Sequence, residues 1–279
     1  MKKRLLTALF GIAFAVGWLF TMYTPFYAII MAAFAFVAEY EMLKVFEVKN
    51  IPFKVVCLAL SVGIMLYADY RDKFAFAFFP AAAAVILTCL VIMVLDFEKL
   101  KFEQVVCSLF SSFAVSSALS CVVLFRDVYK TFPEKFQKTD GIFFILMAFF
   151  CAWVTDAFAL FAGMAFGKHK LAPKISPKKT IEGAIGGVIG CIGVCIALYF
   201  VFKTKFALSV HIGLPFVVIS SLFLAVLSIF GDLAASTIKR HHGVKDFGNL
   251  LPGHGGVMDR FDSAVFVFPA LYSFILLIK

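Results

Sequence analysis

The sequence predicts an all-α, polytopic integral membrane bundle of about nine transmembrane helices. Three observations lead there. Of 279 residues, 63% are hydrophobic, 37 are phenylalanine and only 15% are charged. The mean hydropathy is +0.99 across the chain. The apolar residues also gather into runs of about 20, the length that crosses a hydrocarbon layer about 30 Å thick. No water-soluble core of this size needs so much apolar surface, so lipid is the solvent for most of the chain.

In order, the runs lie near 5–23, 25–43, 52–69, 74–95, 105–125, 141–167, 181–202, 206–232 and 262–278. The first, MKKRLLTALFGIAFAVGWLF, imitates a secretory signal with its basic start. It is long enough to span, and no clear small-x-small cleavage site follows it, so it is read as a helix. The turn at Thr24-Pro25 makes the first two runs a tight hairpin. No internal repeat or low-complexity linker is apparent. Residues 1–140 read as plain transmembrane helices, and 141–279 as a catalytic region carrying two polar loops, 168–180 and 239–261.

The formal net charge is +9, but no soluble basic domain exists to carry it to nucleic acid. The cations sit in loops between spans. Counting them by side puts Lys2, Lys3, Arg4, Lys44, Lys49 and the two polar loops on the richer side, which is the cytoplasmic one. The absence of a targeting extension favours a bacterial plasma (inner) membrane over an organelle. All seven cysteines fall inside apolar runs without a C-x-x-C pair, and are read as packing rather than disulfide or metal.

The chemistry concentrates between Ser236 and Asp262. Lys239, Arg240, Lys245, Arg260, Asp246, Asp259 and Asp262 stand together there with several glycines. Cations hold phosphate oxygens, carboxylates hold a divalent metal, and glycines let backbone approach a ligand. Those are the parts of phosphoryl or nucleotidyl transfer. Asp156 lies inside the sixth run and Asp232 at the end of the eighth. A carboxylate in a span is costly unless it faces a cavity, a partner or a metal. At about 1.5 Å per helical residue, Asp156 lies roughly 18 Å before Lys168 and Asp232 roughly 10 Å before Lys239, at the base of a cytoplasmic cavity. Converging carboxylates suit Mg²⁺, which favours Asp232 and Asp259 as the metal pair with Asp156 or Asp246 assisting.

In the other loop, Pro173 and Pro177 forbid a continuous helix. Ser176, Lys178, Lys179 and Thr180 then precede a helix beginning near Ile181, a ready anion site. Gly163-x-x-x-Gly167-Lys168 is too short for a Walker A loop and has His169 where a hydroxyl is needed. Zinc at His241, His242 and His254 is set aside, because adjacent histidines of a helix cannot face one ion and no second cluster supports it. His254 fits better as a phosphate donor or cavity-lining residue. Gly183, Gly186, Gly187 and Gly190 form small-residue pairs for close helix packing. Glu39 and Glu41 receive no role.

The series Ser236-x-Ile238-Lys239-Arg240, Lys245-Asp246-x-Gly248 and Leu251-Pro252-x-His254-Gly255-Gly256-Val257-x-Asp259-Arg260-Phe261-Asp262 resembles the signature of phosphatidate cytidylyltransferases (CDP-diacylglycerol synthases). Asp156, Ala159, Gly163, Gly167-Lys168 and Pro173-x-Ile175-Ser176-Pro177-Lys178-Lys179-Thr180-x-Glu182-Gly183 resemble a second block of that family. The resemblance covers about residues 150–262, and the first half matches only as generic spans. Ala235 stands where the family usually carries glutamate, and Leu160 where an aromatic is common.

The resemblance implies conversion of CTP and phosphatidate to CDP-diacylglycerol and pyrophosphate within the bilayer. It also implies Mg²⁺, a second monovalent cation such as K⁺, and a homodimer. On this reading Asp232 and Asp259 hold the metal, with Asp156 and Asp246 in support. Ser176, Lys178, Lys179, Lys239 and Arg240 bind the phosphates, joined by Thr180, Ser236, Lys245, His254 and Arg260 on the substrates. Two rivals remain: a CTP-dependent lipid-alcohol kinase, and a transporter holding ions at Asp156 and Asp232. A transporter predicts repeat symmetry and polar residues in both halves. Here they are confined to the second half.

Overall fold

The computed structural model describes residues 11, 13–74, 78–251, 253 and 255–278. Helix α1 occupies 13–20, and the chain turns through 21–25 into α2 (Phe26–Val45). Next come α3 (Ile51–Phe74), α4 (Phe78–Leu95), α5 (Phe102–Arg126), the short α6 (Val128–Thr131) and α7 (Lys138–Phe166). Two short strands, β1 (Lys170–Ala172) and β2 (Ser176–Thr180), lead into α8 (Ile181–Lys205), α9 (Leu214–His241), α10 (Met258–Phe261) and α11 (Ala264–Leu276).

Six of the described helices are long and apolar enough to cross a membrane: α2, α3 over Ile51–Arg71, α5, α7, α8 and α9. The expected count of about nine is not reached. Part of the first run and residues 75–77 lie outside the described residues. The last run yields a helix of 13 residues containing Pro269, about 20 Å long at helical rise and short of a full crossing. The eighth run also differs. Its helix starts at Leu214 and runs to His241, so Asp232 lies inside α9 and Lys239 and Arg240 form its last turn. Basic side chains there oppose the negative end of the helix dipole.

The described chain forms two compact units. One comprises the chain up to Ser120 together with His242–Arg260. In it α3 packs on α2 and α4. Asn50 starts α3, its side-chain oxygen accepting the Phe53 N–H at 2.7 Å while its amide donates to Asp96 at 2.6 Å. Glu39, fully buried in α2, accepts hydrogen bonds from Ser111 and Ser112 of α5.

The other unit comprises Cys121–His241 and the chain from Phe261 onward. Its centre is α7 against α8, with α9 and α11 packed alongside. Gly183 and Gly187 make the α7–α8 approach possible, since a Cβ on either would stand 2.7 Å from the carbonyl oxygen of Ala159 or Thr155. Thr180 caps α8 by accepting the Gly183 N–H at 3.1 Å. Asp140 closes the far end, accepting from the backbone of Gln137 and Ser209 at 2.7 and 3.0 Å. Gln104, Asn50 and Asp140 illustrate a general need: in lipid, each loop backbone group must find a protein partner.

Candidate active site

Pro173 and Pro177 break the helical pattern after α7, and the chain answers with an antiparallel β1–β2 hairpin, an element the sequence reading did not foresee. Pairing of Lys170 with Thr180 brings β2 back to the start of α8. Glu182, in the first turn of α8, fixes the hairpin root. It accepts the Lys168 N–H at 3.1 Å and meets His169 Nδ1 at 2.6 Å. The Arg240 guanidinium donates to the Ile175 carbonyl at 3.4 Å, tying the last turn of α9 to the hairpin tip.

This framework encloses a cavity of about 250 Å³ whose polar lining includes Asp156, Lys178, Lys179, Thr180 and Asp232. Lys179, projecting from β2, is ion-paired with Asp232 of α9, and its ammonium lies 3.7 Å from Asp156 of α7. Three elements far apart in sequence thus converge on one ammonium group. Ser236 lies one turn beyond Asp232 on α9, half-buried. Ser176 opens the β2 strand.

A second charged pair belongs to the same unit. Lys239 of α9 lies 3.9 Å from Asp262, both side chains about 10% exposed. Asp262 sits in the turn between α10 and α11, outside the spanning helices. Burial, reinforced by the nearby negative charge of Asp232, pushes its carboxyl up to about 7, against the pull of Lys239. In these ion pairs Asp156 and Asp232 share Lys179, while Asp262 faces Lys239. Carboxylates that crowd one another in this way are the donor set of a hard divalent ion.

Asp232 and Asp259, paired in the sequence reading, fall in different units. Asp259 is 7% exposed and accepts the Phe247 and Gly256 N–H groups at 2.8 and 2.9 Å. Lys245, Asp246 and Arg260 of the same segment are exposed, whereas His254 lies outside the described residues. Gly255, with φ of +84°, occupies the left-handed region and has no room for a Cβ beside the Asp259 carboxylate.

Sequence reasoning missed three features. The Lys239–Asp262 pair was assigned no joint function, although Asp262 closes the motif. Glu41, buried in α2, holds the loop before α10 through the Val257 and Met258 N–H groups. The rule that flagged Asp156, a carboxylate within a span, applies to Glu41 equally. Finally, the sulfur atoms of Cys151, Cys191 and Cys195 lie within 4.8 Å of one another between α7 and α8, a gathering that separate apolar runs do not announce.

With this geometry in hand, comparison with known proteins decides the family. The family model described as "Cytidylyltransferase family" matches residues 2–278. The chain belongs to the cytidylyltransferase family. A phosphatidate cytidylyltransferase from Bacillus subtilis (strain 168) is 33% identical over 285 residues, covering 98% of this chain and 96% of the relative. One from Staphylococcus epidermidis is also 33% identical, with 97% of each chain covered. One from Staphylococcus aureus (strain COL) is 38% identical over 162 residues, 58% of this chain and 57% of the relative. Family membership therefore extends over the N-terminal half, where the motif resemblance had been silent.

Proposed function

We propose that the protein is a phosphatidate cytidylyltransferase, forming CDP-diacylglycerol and pyrophosphate from phosphatidate and CTP. The observation that carries this reading is the convergence of Asp156, Lys179 and Asp232 on one polar cavity among membrane-spanning helices, in a chain of the cytidylyltransferase family. The cavity is built by helices apolar enough for a lipid substrate, and its loop-borne cations suit a nucleotide.

An oxygen of the lipid phosphate attacks the α-phosphorus of CTP. The new P–O bond forms as the bond to the bridging oxygen of the β-phosphate breaks, and pyrophosphate leaves with that electron pair. The nucleophile is already anionic, so no strong general base is needed. The protein must instead hold two mutually repelling anions in line, a task of positioning and charge compensation. Lys178, Lys179, Lys239 and Arg240 neutralise phosphate oxygens, assisted by the hydroxyls of Ser176, Thr180 and Ser236. Asp156, Asp232 and Asp262 fit a divalent cation; the assignment of Asp259 to the metal and of Asp246 to its support rests on the motif resemblance alone. Mg²⁺, when bound, would offset the charge of the CTP phosphates. Lys179 then has two roles: it offsets the charge of Asp156 and Asp232 and offers its ammonium to a phosphate oxygen. The active site faces the cytoplasm of a bacterial inner membrane, where CTP is supplied.

The test is a product assay. Purified protein in detergent receives phosphatidate and CTP labelled at the α-phosphate, with and without Mg²⁺. Mg²⁺-dependent transfer of label into a chloroform-soluble CDP-lipid is expected. Label that stays aqueous under every condition would overturn the assignment.

A further inference from the structure

The sequence leaves the N-terminal half as generic membrane spans, yet one of its residues is built into the motif segment. Glu41 lies in α2, 5% exposed. Its Oε1 accepts the Val257 N–H at 3.1 Å and its Oε2 the Met258 N–H at 2.8 Å. The two residues are 216 and 217 positions away in sequence. They enter the short α10, whose first N–H groups have no helical partner of their own. On the loop side, a Cβ at Gly248 or Gly256 would run into the Glu41 carboxyl group, so both glycines leave space for it. Phe46, which caps the C-terminal end of the same helix, packs against His242 where the segment begins, with ring centroids 5.2 Å apart and the planes tilted by 57°.

Asp259 secures the segment from within. Its carboxylate takes the Phe247 and Gly256 N–H groups, so four backbone donors between Phe247 and Met258 are held by two carboxylates. Glu41 holds the residues immediately before Asp259, and the two Glu41 bonds therefore determine where the Asp259 Cα sits. A backbone N–H in a buried setting keeps one geometry only while its acceptor stays in place.

We propose that Glu41 is a positioning residue for the reaction: it clamps the Val257–Met258 backbone and thereby sets the Asp259 carboxylate for metal binding. This rests on the assignment of Asp259 to the metal in the proposed function. The Glu41 carboxylate is engaged with backbone N–H groups. The carboxylate is matched to its task, since a charged acceptor forms stronger bonds to two N–H groups than a neutral amide does.

The test uses the full-length protein in detergent, comparing the parent with Glu41→Ala, Glu41→Gln and Gly256→Ala by two readouts. The first is hydrogen–deuterium exchange of the peptide containing Val257 and Met258. The second is the Mg²⁺ concentration for half-maximal activity, measured with kcat and the KM for phosphatidate. For Glu41→Ala, exchange at Val257 and Met258 rises about tenfold or more, and the Mg²⁺ requirement rises roughly tenfold, as for loss of a group that orients a metal ligand. The KM for phosphatidate moves little. Glu41→Gln, which retains one acceptor oxygen, falls between parent and alanine variant. Gly256→Ala reproduces the shift from the loop side, which keeps the test available if Glu41→Ala fails to fold. Unchanged exchange in Glu41→Ala would overturn the clamp. Faster exchange with an unchanged Mg²⁺ requirement in an active enzyme would overturn the positioning role. An inactive parent would instead count against the proposed function, while the exchange measurement would still decide the clamp.

Discussion

The Lys179 ammonium is ion-paired with the Asp232 carboxylate, joining a strand of the β1–β2 hairpin to the interior of a membrane-spanning helix. Asp156 approaches the same ammonium at 3.7 Å. One lysine thus links the 168–180 loop to carboxylates of α7 and α9.

Removing that ammonium should uncouple the cluster. Lys179→Ala is expected to lower kcat/KM by about a hundredfold or more, the scale of losing one charge-stabilising group in a water-poor site. Lys179→Arg should recover part of the activity, since charge is retained but the planar head fits a different geometry. Steady-state assays of both variants check this. Alanine and parent enzymes of equal activity would exclude a role in turnover.

Neutralising a carboxylate should act on the metal. Asp232→Asn is expected to abolish measurable turnover at ordinary Mg²⁺, whereas Asp156→Asn should raise the Mg²⁺ requirement and leave some turnover at saturation. Titration of activity against Mg²⁺ for the two variants separates the roles. Identical Mg²⁺ curves for Asp156→Asn and the parent would remove Asp156 from the metal site.

The α7–α8 contact should not tolerate bulk. Gly187→Leu must push against the Thr155 carbonyl, which a Cβ alone would approach to 2.7 Å. Overpacking of this kind costs about 1–3 kcal/mol. The variant should melt at lower temperature in detergent and lose activity as Asp156 of α7 and Thr180, which caps α8, move apart. A melting temperature equal to the parent's would show that the helices can separate without loss.

Asp262 predicts how the metal-free protein responds to pH. Burial pushes its carboxyl up to about 7 in the fold. An unfolded aspartate titrates near about 3.9. Below the lower value it is protonated in both states and imposes no penalty. As pH rises through the window to about 7, the folded state retains a proton that the unfolded state has released, and stability falls. Asp262→Asn should flatten that part of the profile. Melting measured in chelator between pH 5 and 8 tests it, and an identical slope in the variant would contradict it.

Much of this was legible in the sequence, because lipid imposes strong patterns. Long apolar runs marked the spans, and carboxylates within two of them marked Asp156 and Asp232. What escaped depends on pairing at a distance. Nothing in the Lys170–Thr180 stretch alternates like a strand, and the hairpin follows from prolines and its anchoring by Glu182 and Arg240. The end of α9 was misplaced because Lys239 and Arg240 read as loop charges, whereas a helix end accepts them readily. Glu41 received no role because its partners are backbone N–H groups, which carry no side-chain signature in sequence.

The most direct test of the central claim is to run the assay twice, with CTP labelled at the α-phosphate and at the γ-phosphate, for the parent and Asp232→Asn. The account predicts α-label in a CDP-lipid, γ-label released as pyrophosphate, and neither transfer in the variant. Entry of γ-label into the lipid would contradict it and indicate a CTP-dependent lipid kinase. Full α-transfer by Asp232→Asn would contradict the placement of the reaction at this cluster.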